Sequence, residues 1–183
     1  MDYKAIYKKA YQLMNEPIID GNCGLLCDFH CCRDLDEDGS RLGVYLWPLE
    51  YEAIYEKSDT FEIEKVPKEE HGDIHMPKDL SDMYYFYCDG SRNCPRDLRP
   101  LHCRTYPIEP HIESDVLMLV VEKDQIHSCP LLNQVEQWRE EYINGIHEAW
   151  LLLIQIPEVK TLVKYYSDNR IRYNNVQSII KGS

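Results

Sequence analysis

Glycine is scarce, at 8 of 183 residues, and phenylalanine and tryptophan contribute only 3 each. No stretch is rich enough in Gly, Pro or Ser to read as a linker or a low-complexity tract, so the composition is that of a folding chain. Basic residues are short as well. Lys and Arg number 20 against 32 Asp and Glu, a formal charge of −12 with neutral histidines. Such a surface repels a phosphate backbone and an anionic membrane, which argues against nucleic acid and membrane as main partners and leaves a basic protein partner open. Long apolar runs are missing too: a stretch such as Trp150 to Ile154 is far below the ~20 residues that cross a bilayer. The opening MDYKAIYKKAYQLMNEP alternates charge and tyrosine with no apolar stretch, unlike a signal peptide. The expected location is cytoplasmic. A phosphate-binding loop, a dinucleotide fingerprint, a serine nucleophile elbow and a kinase signature are all absent. No catalytic residue can therefore be named, and whether the chain is an enzyme stays open.

What is present suffices for one domain. A length of 183 residues with 44% apolar content supports an ordinary core. Residues 2–14 read as a helix capped by Asp2, with Tyr3, Tyr7 and Tyr11 at four-residue spacing. Short strands are expected at 43–47, 61–66, 84–88 and 116–121, with a helix starting at Pro48 and a polar surface loop over 68–82. A long helix is expected over 131–155, where Leu132, Val135, Trp138, Tyr142, Ile146, Trp150 and Leu153 step by three or four. Pro157 breaks it, a shorter helix follows over 158–167, and one more turn of helix is expected over 176–180. The expectation is a single α+β domain, 1–183. In it, a cysteine-rich loop and short-strand region, 23–130, packs on a helical part, 131–183, that carries the long C-terminal helix.

Eight cysteines dominate the chemistry. In a reducing compartment thiols stay thiols unless a metal or redox chemistry claims them, and a chain of this length needs no disulfide staples. The first group is Cys23-x3-Cys27-x3-Cys31-Cys32, four thiols within ten residues. On a straight helix Cys23 and Cys31 would stand ~12 Å apart along the axis, too far for one zinc with ~2.3 Å bonds to sulfur. Either the segment wraps as a loop, which Gly24 and the preceding Asp20-Gly21-Asn22 turn favour, or it feeds two centres. Cys31 and Cys32, as neighbours, point apart, so one is expected to ligate while the other bridges, serves a second ion or packs. The second group is Cys88-x5-Cys94-x8-Cys103, with Cys129 following 26 positions later. Thiolate ligands select zinc or iron, the latter also as an iron–sulfur cluster. Arg99 and Arg104 flank Cys103 and are candidates to stabilise ligated thiolates from behind. Because neither group offers four well-placed thiolates alone, the two are expected to converge on one region.

These elements resemble the bacterial and archaeal cysteine-cluster proteins of the YkgJ type, a CxxCxxCC family described as zinc- or iron-chelating. The resemblance rests on CGLLCDFHCC at 23–32, Cys88 and Cys94, RPLHCRTYP at 99–107 and the Cys-Pro at 129–130. The opening spacings are three and three instead of two and two, and the gap before Cys103 is one residue shorter than the family pattern. The resemblance implies a metal-binding domain without an assigned reaction. A more distant likeness to flagellin lysine-N-methylases would imply an iron–sulfur centre and methyl transfer, in proteins considerably longer than this one.

Weaker signals have plainer readings. DLDED-Gly39 starts like a calcium loop, but Arg41 and Tyr45 occupy the positions that should be apolar and bidentate, so it reads as a solvated acidic turn. His71 and His75 have helical ligand spacing, yet Gly72 and Pro77 disfavour a helix there. His30 and His102 sit beside cysteines and could each replace one thiolate in a three-Cys, one-His site.

Overall fold

The computed structural model describes residues 1–71, 76–77, 79–90, 94–122 and 129–182. Its architecture is α+β, with two three-stranded antiparallel sheets and a set of helices. Helix α1, Tyr3–Leu13, begins where the Asp2 carboxylate accepts the Ala5 N–H at 3.0 Å. Its four-residue repeat turns Tyr7, Ala10 and Tyr11 into the core.

The first sheet has strands β1, Gly43–Tyr45, β2, Ile63–Val66, and β3, Met83–Tyr87, in the order β1-β3-β2. Tyr45 lies opposite Tyr85, their rings edge-to-face at 4.9 Å. The helix expected from Pro48 forms instead as one wide turn, Tyr51–Tyr55, in which Glu56 N–H reaches Tyr51 C=O at 2.9 Å. The 68–82 segment is less of a surface loop than its polarity suggests: His71, Met76 and Leu80 are buried, and His71 Nδ1 lies 3.3 Å from the Pro77 carbonyl. His75 lies outside the described residues.

The second sheet joins β4, Glu109–Glu113, β5, Val116–Glu122, and β6, Tyr173–Asn175, in that order. Ser114 and Asp115, both left-handed at φ 51° and 61°, make the tight β4–β5 turn. The expected 131–155 helix is shorter than its periodicity. Residues Pro130–Asn133 and Val135–Gln137 are separate 3₁₀ turns, and the helix proper, α3, is Glu140–Leu153. Two bonds hold the chain out of helical register: Trp138 Nε1 donates to Leu131 C=O at 3.0 Å, and Arg139 N–H to Ile18 C=O at 2.8 Å. Helices α4, Pro157–Asn169, and α5, Val176–Gly182, follow. No helix among the described residues is long and apolar enough to cross a membrane.

Helix α1 packs on α3 at a distance that requires Gly145, because a Cβ there would stand 2.3 Å from the Leu13 carbonyl oxygen. A buried carboxylate then ties three segments together. Glu50, fully buried, accepts the Tyr11 hydroxyl at 2.7 Å, Trp47 N–H at 2.7 Å and Leu101 N–H at 2.8 Å. The last bond anchors the short helix α2, Leu101–Thr105, which carries Cys103.

Candidate metal centre

The 23–32 segment is a wrapped loop, not a helix. A 3₁₀ turn over Cys23–Leu26 is capped by Asn22, whose Oδ1 accepts Gly24 N–H at 3.0 Å. Asp28 and Phe29 are then both left-handed, at φ 50° and 56°, and a second 3₁₀ turn covers His30–Cys32. Phe29 N–H closes back on Gly24 C=O at 2.8 Å. Its ring occupies the place of a Gly24 Cβ, which would fall 2.2 Å from Phe29 Cδ1. Glycine is thus a condition of this reversal, and the ~12 Å separation of a helical reading is removed.

The second group arrives from three directions. Cys88 follows β3 and donates its N–H to Leu42 C=O at 2.9 Å. Cys94 opens a turn that Arg99 folds back onto, Nε to the Cys94 carbonyl at 3.4 Å. Cys103 rides on α2, and Cys129 immediately precedes the Pro130–Asn133 turn. Cys23, Cys27, Cys31, Cys32, Cys88, Cys103 and Cys129 line one cavity of about 430 Å³, so residues of both groups face the same space. Cys94 is not among the lining residues but lies close enough to Arg99 and Cys32 to feel their charge. All eight are free thiols, Cys31 exposed and the others half-buried. Among the described residues no three His, Cys, Asp or Glu side chains are yet disposed around a point that could hold an ion. The thiols share a space without forming a finished polyhedron.

The cavity wall supplies the cation that such a thiol set needs. Burial raises the Cys23 and Cys94 thiols, and Arg99, which lines the cavity, offsets part of that rise. Contrary to the expectation that these neighbours point apart, the Cys31 and Cys32 side chains turn toward each other and hydrogen-bond, which keeps the proton on Cys31 and favours the Cys32 thiolate, with Arg99 assisting. Burial, then the charges of Cys32 and Cys94, pushes Cys88 up to about 11, and burial raises Cys103 well above the ordinary thiol value. Arg104 behaves differently from Arg99. Its guanidinium lies 4.1 Å over the Tyr11 ring and donates to the Arg99 and Tyr11 carbonyls, so it braces α2 against α1. Arg96, which cysteine spacing alone does not single out, opposes to a lesser degree the rise that burial imposes on Cys23, and it binds the Asn15 carbonyl at 2.6 Å and that of Glu16. The PRDLRP stretch, with two arginines three apart, carried that signal.

His102 lies on the cavity wall, stacked on Trp47 at 5.0 Å, and burial drops its imidazole to about 4, so it is neutral. His30 Nδ1 is met by Arg33 at 2.6 Å. The acidic 34–41 segment closes as a turn, with a Leu35–Arg41 bridge and Asp36 and Asp38 oxygens accepting backbone N–H groups within it. Three groups that composition could not flag also face the cavity: Tyr106, Tyr166 and Glu109, whose carboxyl burial raises to about 7. Comparison of the chain with protein-family models, curated proteins and solved structures returns no match.

Proposed function

We propose that this is a cytoplasmic metal-binding cysteine-cluster protein, holding zinc or iron, the latter singly or as an iron–sulfur cluster. The observation that carries the reading is the gathering of seven free thiols, from segments up to 106 positions apart in sequence, around one cavity that also presents Arg99. The donor chemistry fits: soft sulfur ligands with a guanidinium beside them suit zinc and iron and do not suit hard cations. The motif resemblance to zinc- or iron-chelating YkgJ-type proteins points the same way. Bound zinc would supply a charge that cross-links the turns; an iron–sulfur cluster would supply electron transfer.

Metal analysis and the absorption spectrum of protein purified without oxygen test this. Stoichiometric zinc in a colourless protein, or iron with sulfide in a brown one, supports the reading. Because ligand binding to such sites contributes directly to folding, removal by a thiolate-competing chelator should lower the melting temperature. Absence of bound metal together with an unchanged melting curve in chelator would overturn it. A second reading, an iron–sulfur-dependent enzyme of redox or methyl-transfer type, draws on Tyr106, Tyr166 and Glu109 in the same wall, which give the cavity a side that is not thiol. A brown protein whose reduced and oxidised spectra interconvert would favour it over a structural zinc protein.

A further inference from the structure

The geometry points to a binding site for a small organic acid, a carboxylate or phosphate on an apolar body, in a second cavity that Arg96, Arg99 and Arg104 line. The inference does not depend on the thiols holding a metal. This cavity has a volume of about 310 Å³, and its lining includes no Asp or Glu. Cys23, Arg99, Cys103 and Tyr106 line both it and the thiol cavity, so the two spaces lie back to back. In a chain with 32 acidic and 20 basic residues, three guanidinium groups around one space without a carboxylate are a local reversal of charge.

What holds these three arginines is neutral. Arg41, Arg139 and Arg170 form ion pairs with Glu62, Glu16 and Glu122, whereas Arg96, Arg99 and Arg104 form none among the described residues. Arg96 donates to the Asn15 carbonyl at 2.6 Å and to that of Glu16, and Arg99 Nε to the Cys94 carbonyl at 3.4 Å. Arg104 donates to the Arg99 carbonyl at 2.7 Å and the Tyr11 carbonyl at 3.3 Å. A carbonyl fixes the direction of a guanidinium without cancelling its charge. Arg104 is the clearest case, because it is only 3% exposed and a buried charge without a counter-charge is costly. Glu50 and Asp97 act on it from a distance, but the Glu50 oxygens already accept Tyr11, Trp47 and Leu101 donors, and Asp97 is exposed. Of the thiols only Cys23 and Cys103 reach this cavity, and Arg96 and Arg104 do not line the other one, so the thiol set does not explain why the arginines gather here.

An oxyanion in this space supplies the missing counter-charge. Guanidinium groups present paired N–H donors that match a carboxylate or a phosphate, and the carbonyl bonds hold those groups in place beforehand, which lowers the ordering cost of binding. The rest of the lining has the opposite character. Pro17, Ile18 and Ile19 contribute apolar surface, and the Tyr142 hydroxyl is already committed to the Thr105 carbonyl at 2.9 Å. The Arg139–Ile18 bond fixes this apolar side, and the Arg96 bonds to Asn15 and Glu16 tie it to the basic one. A charged end and an apolar end in one space suit an acid whose carbon body lies on Pro17, Ile18 and Ile19. The volume stands at the lower end of the ~300–1,000 Å³ usual for small-molecule sites, so the acid is small.

Isothermal titration calorimetry of the full-length reduced protein at low ionic strength, with benzoate, phenyl phosphate and uncharged benzamide as probes, tests the assignment. At least one of the two acids should bind at one site per chain, ~10-fold or more tightly than benzamide, and added salt should weaken it. Tighter phenyl phosphate assigns a phosphate, and tighter benzoate a carboxylate. Arg96→Gln and Arg99→Gln should each weaken that acid ~10-fold or more. Phenylglyoxal mapping of the unmutated protein gives a second readout that needs no variant to fold: the acid should protect Arg96 and Arg99 from modification, and benzamide should not. Absence of binding by both acids, benzamide binding as tightly as they do, or an affinity unchanged in either variant would overturn the site. Metal content of the same sample reports separately on the cysteine-cluster reading, so each can fail without the other.

Discussion

Glu50 offers the sharpest test of how the thiol-bearing half is held. Its carboxylate sits fully buried between α1, the turn after β1 and α2, and burial raises its pKa while the three donors it accepts lower it. Glu50→Ala removes the acceptor from all three. Tyr11 keeps a partner in the Tyr55 hydroxyl at 3.0 Å, but the Trp47 and Leu101 N–H groups are orphaned. At ~1–3 kcal/mol for each buried unsatisfied donor, the loss should be ~2–6 kcal/mol, before any contribution from the space left behind. Glu50→Gln preserves the volume and separates the two effects. The amide supplies one oxygen, so its NH₂ must face either the Trp47 N–H or the Tyr11 and Leu101 donors, costing ~1–3 kcal/mol. Urea denaturation followed by tryptophan fluorescence measures both, since Trp47 and Trp150 are buried and in contact. Because α2 loses its anchor, Glu50→Ala should also reduce metal retention through Cys103. A Glu50→Gln protein within ~0.5 kcal/mol of the parent would refute the claim that this carboxylate is the acceptor organising the three segments.

Two further perturbations probe other parts of the fold. Gly145→Ala pushes a methyl to 2.3 Å from the Leu13 carbonyl oxygen, so α1 and α3 must separate; the expected cost is ~1–3 kcal/mol, read as a lower melting temperature, and an unchanged melt would show that the contact gives way freely. Glu109 is raised from 4.5 to about 7, first by burial, so its ionisation opposes folding: its contribution declines as pH rises from about 4.5 to about 7 and then levels off. Glu109→Gln should flatten the melting temperature over that interval, and an unaltered pH profile would remove Glu109 as its cause.

The parts of the fold that showed in the sequence are those whose signals are local. Asp2 and the tyrosine repeat gave α1, and the apolar run at 116–121 gave the middle strand of the second sheet. Strand β4 was hidden because Glu109, Pro110 and His111 do not look like a strand, yet Pro110 is tolerated where β4 is an edge. The overlong 131–155 helix shows the opposite failure. Apolar spacing persists through 131–138, but a side-chain bond from Trp138 and a backbone bond to Ile18, 121 positions away, override it. The thiols were legible as residue types and not in their arrangement. Spacing marked the eight thiols, whereas the left-handed Asp28-Phe29 reversal, the stacking of His102 on Trp47 and the turning of Arg104 toward Tyr11 depend on contacts that no local pattern encodes.

Those contacts also determine what a metal would stabilise. Helices α1 and α3 and the second sheet close on a continuous apolar core that includes Trp47, Trp150 and Ile146 and counts no cysteine among its buried members. The thiol-bearing segments are different. Residues 23–32 hold only two 3₁₀ turns, two left-handed residues and a few turn bonds, and 94–100 holds one 3₁₀ turn braced by Arg96 and Arg99. Segments with so little backbone pairing and burial belong at the low-stability end of the structure, where local opening is easiest. Metal removal should therefore act unevenly. In hydrogen exchange of holoprotein against chelator-treated protein, amides of 23–32 and 94–100 should lose protection by an order of magnitude or more. Amides within α3 should change far less, because their opening is governed by the core. Equal loss of protection in α3 and in the 23–32 turns would mean that the ion and the apolar core form one cooperative unit, and would overturn this division of the fold.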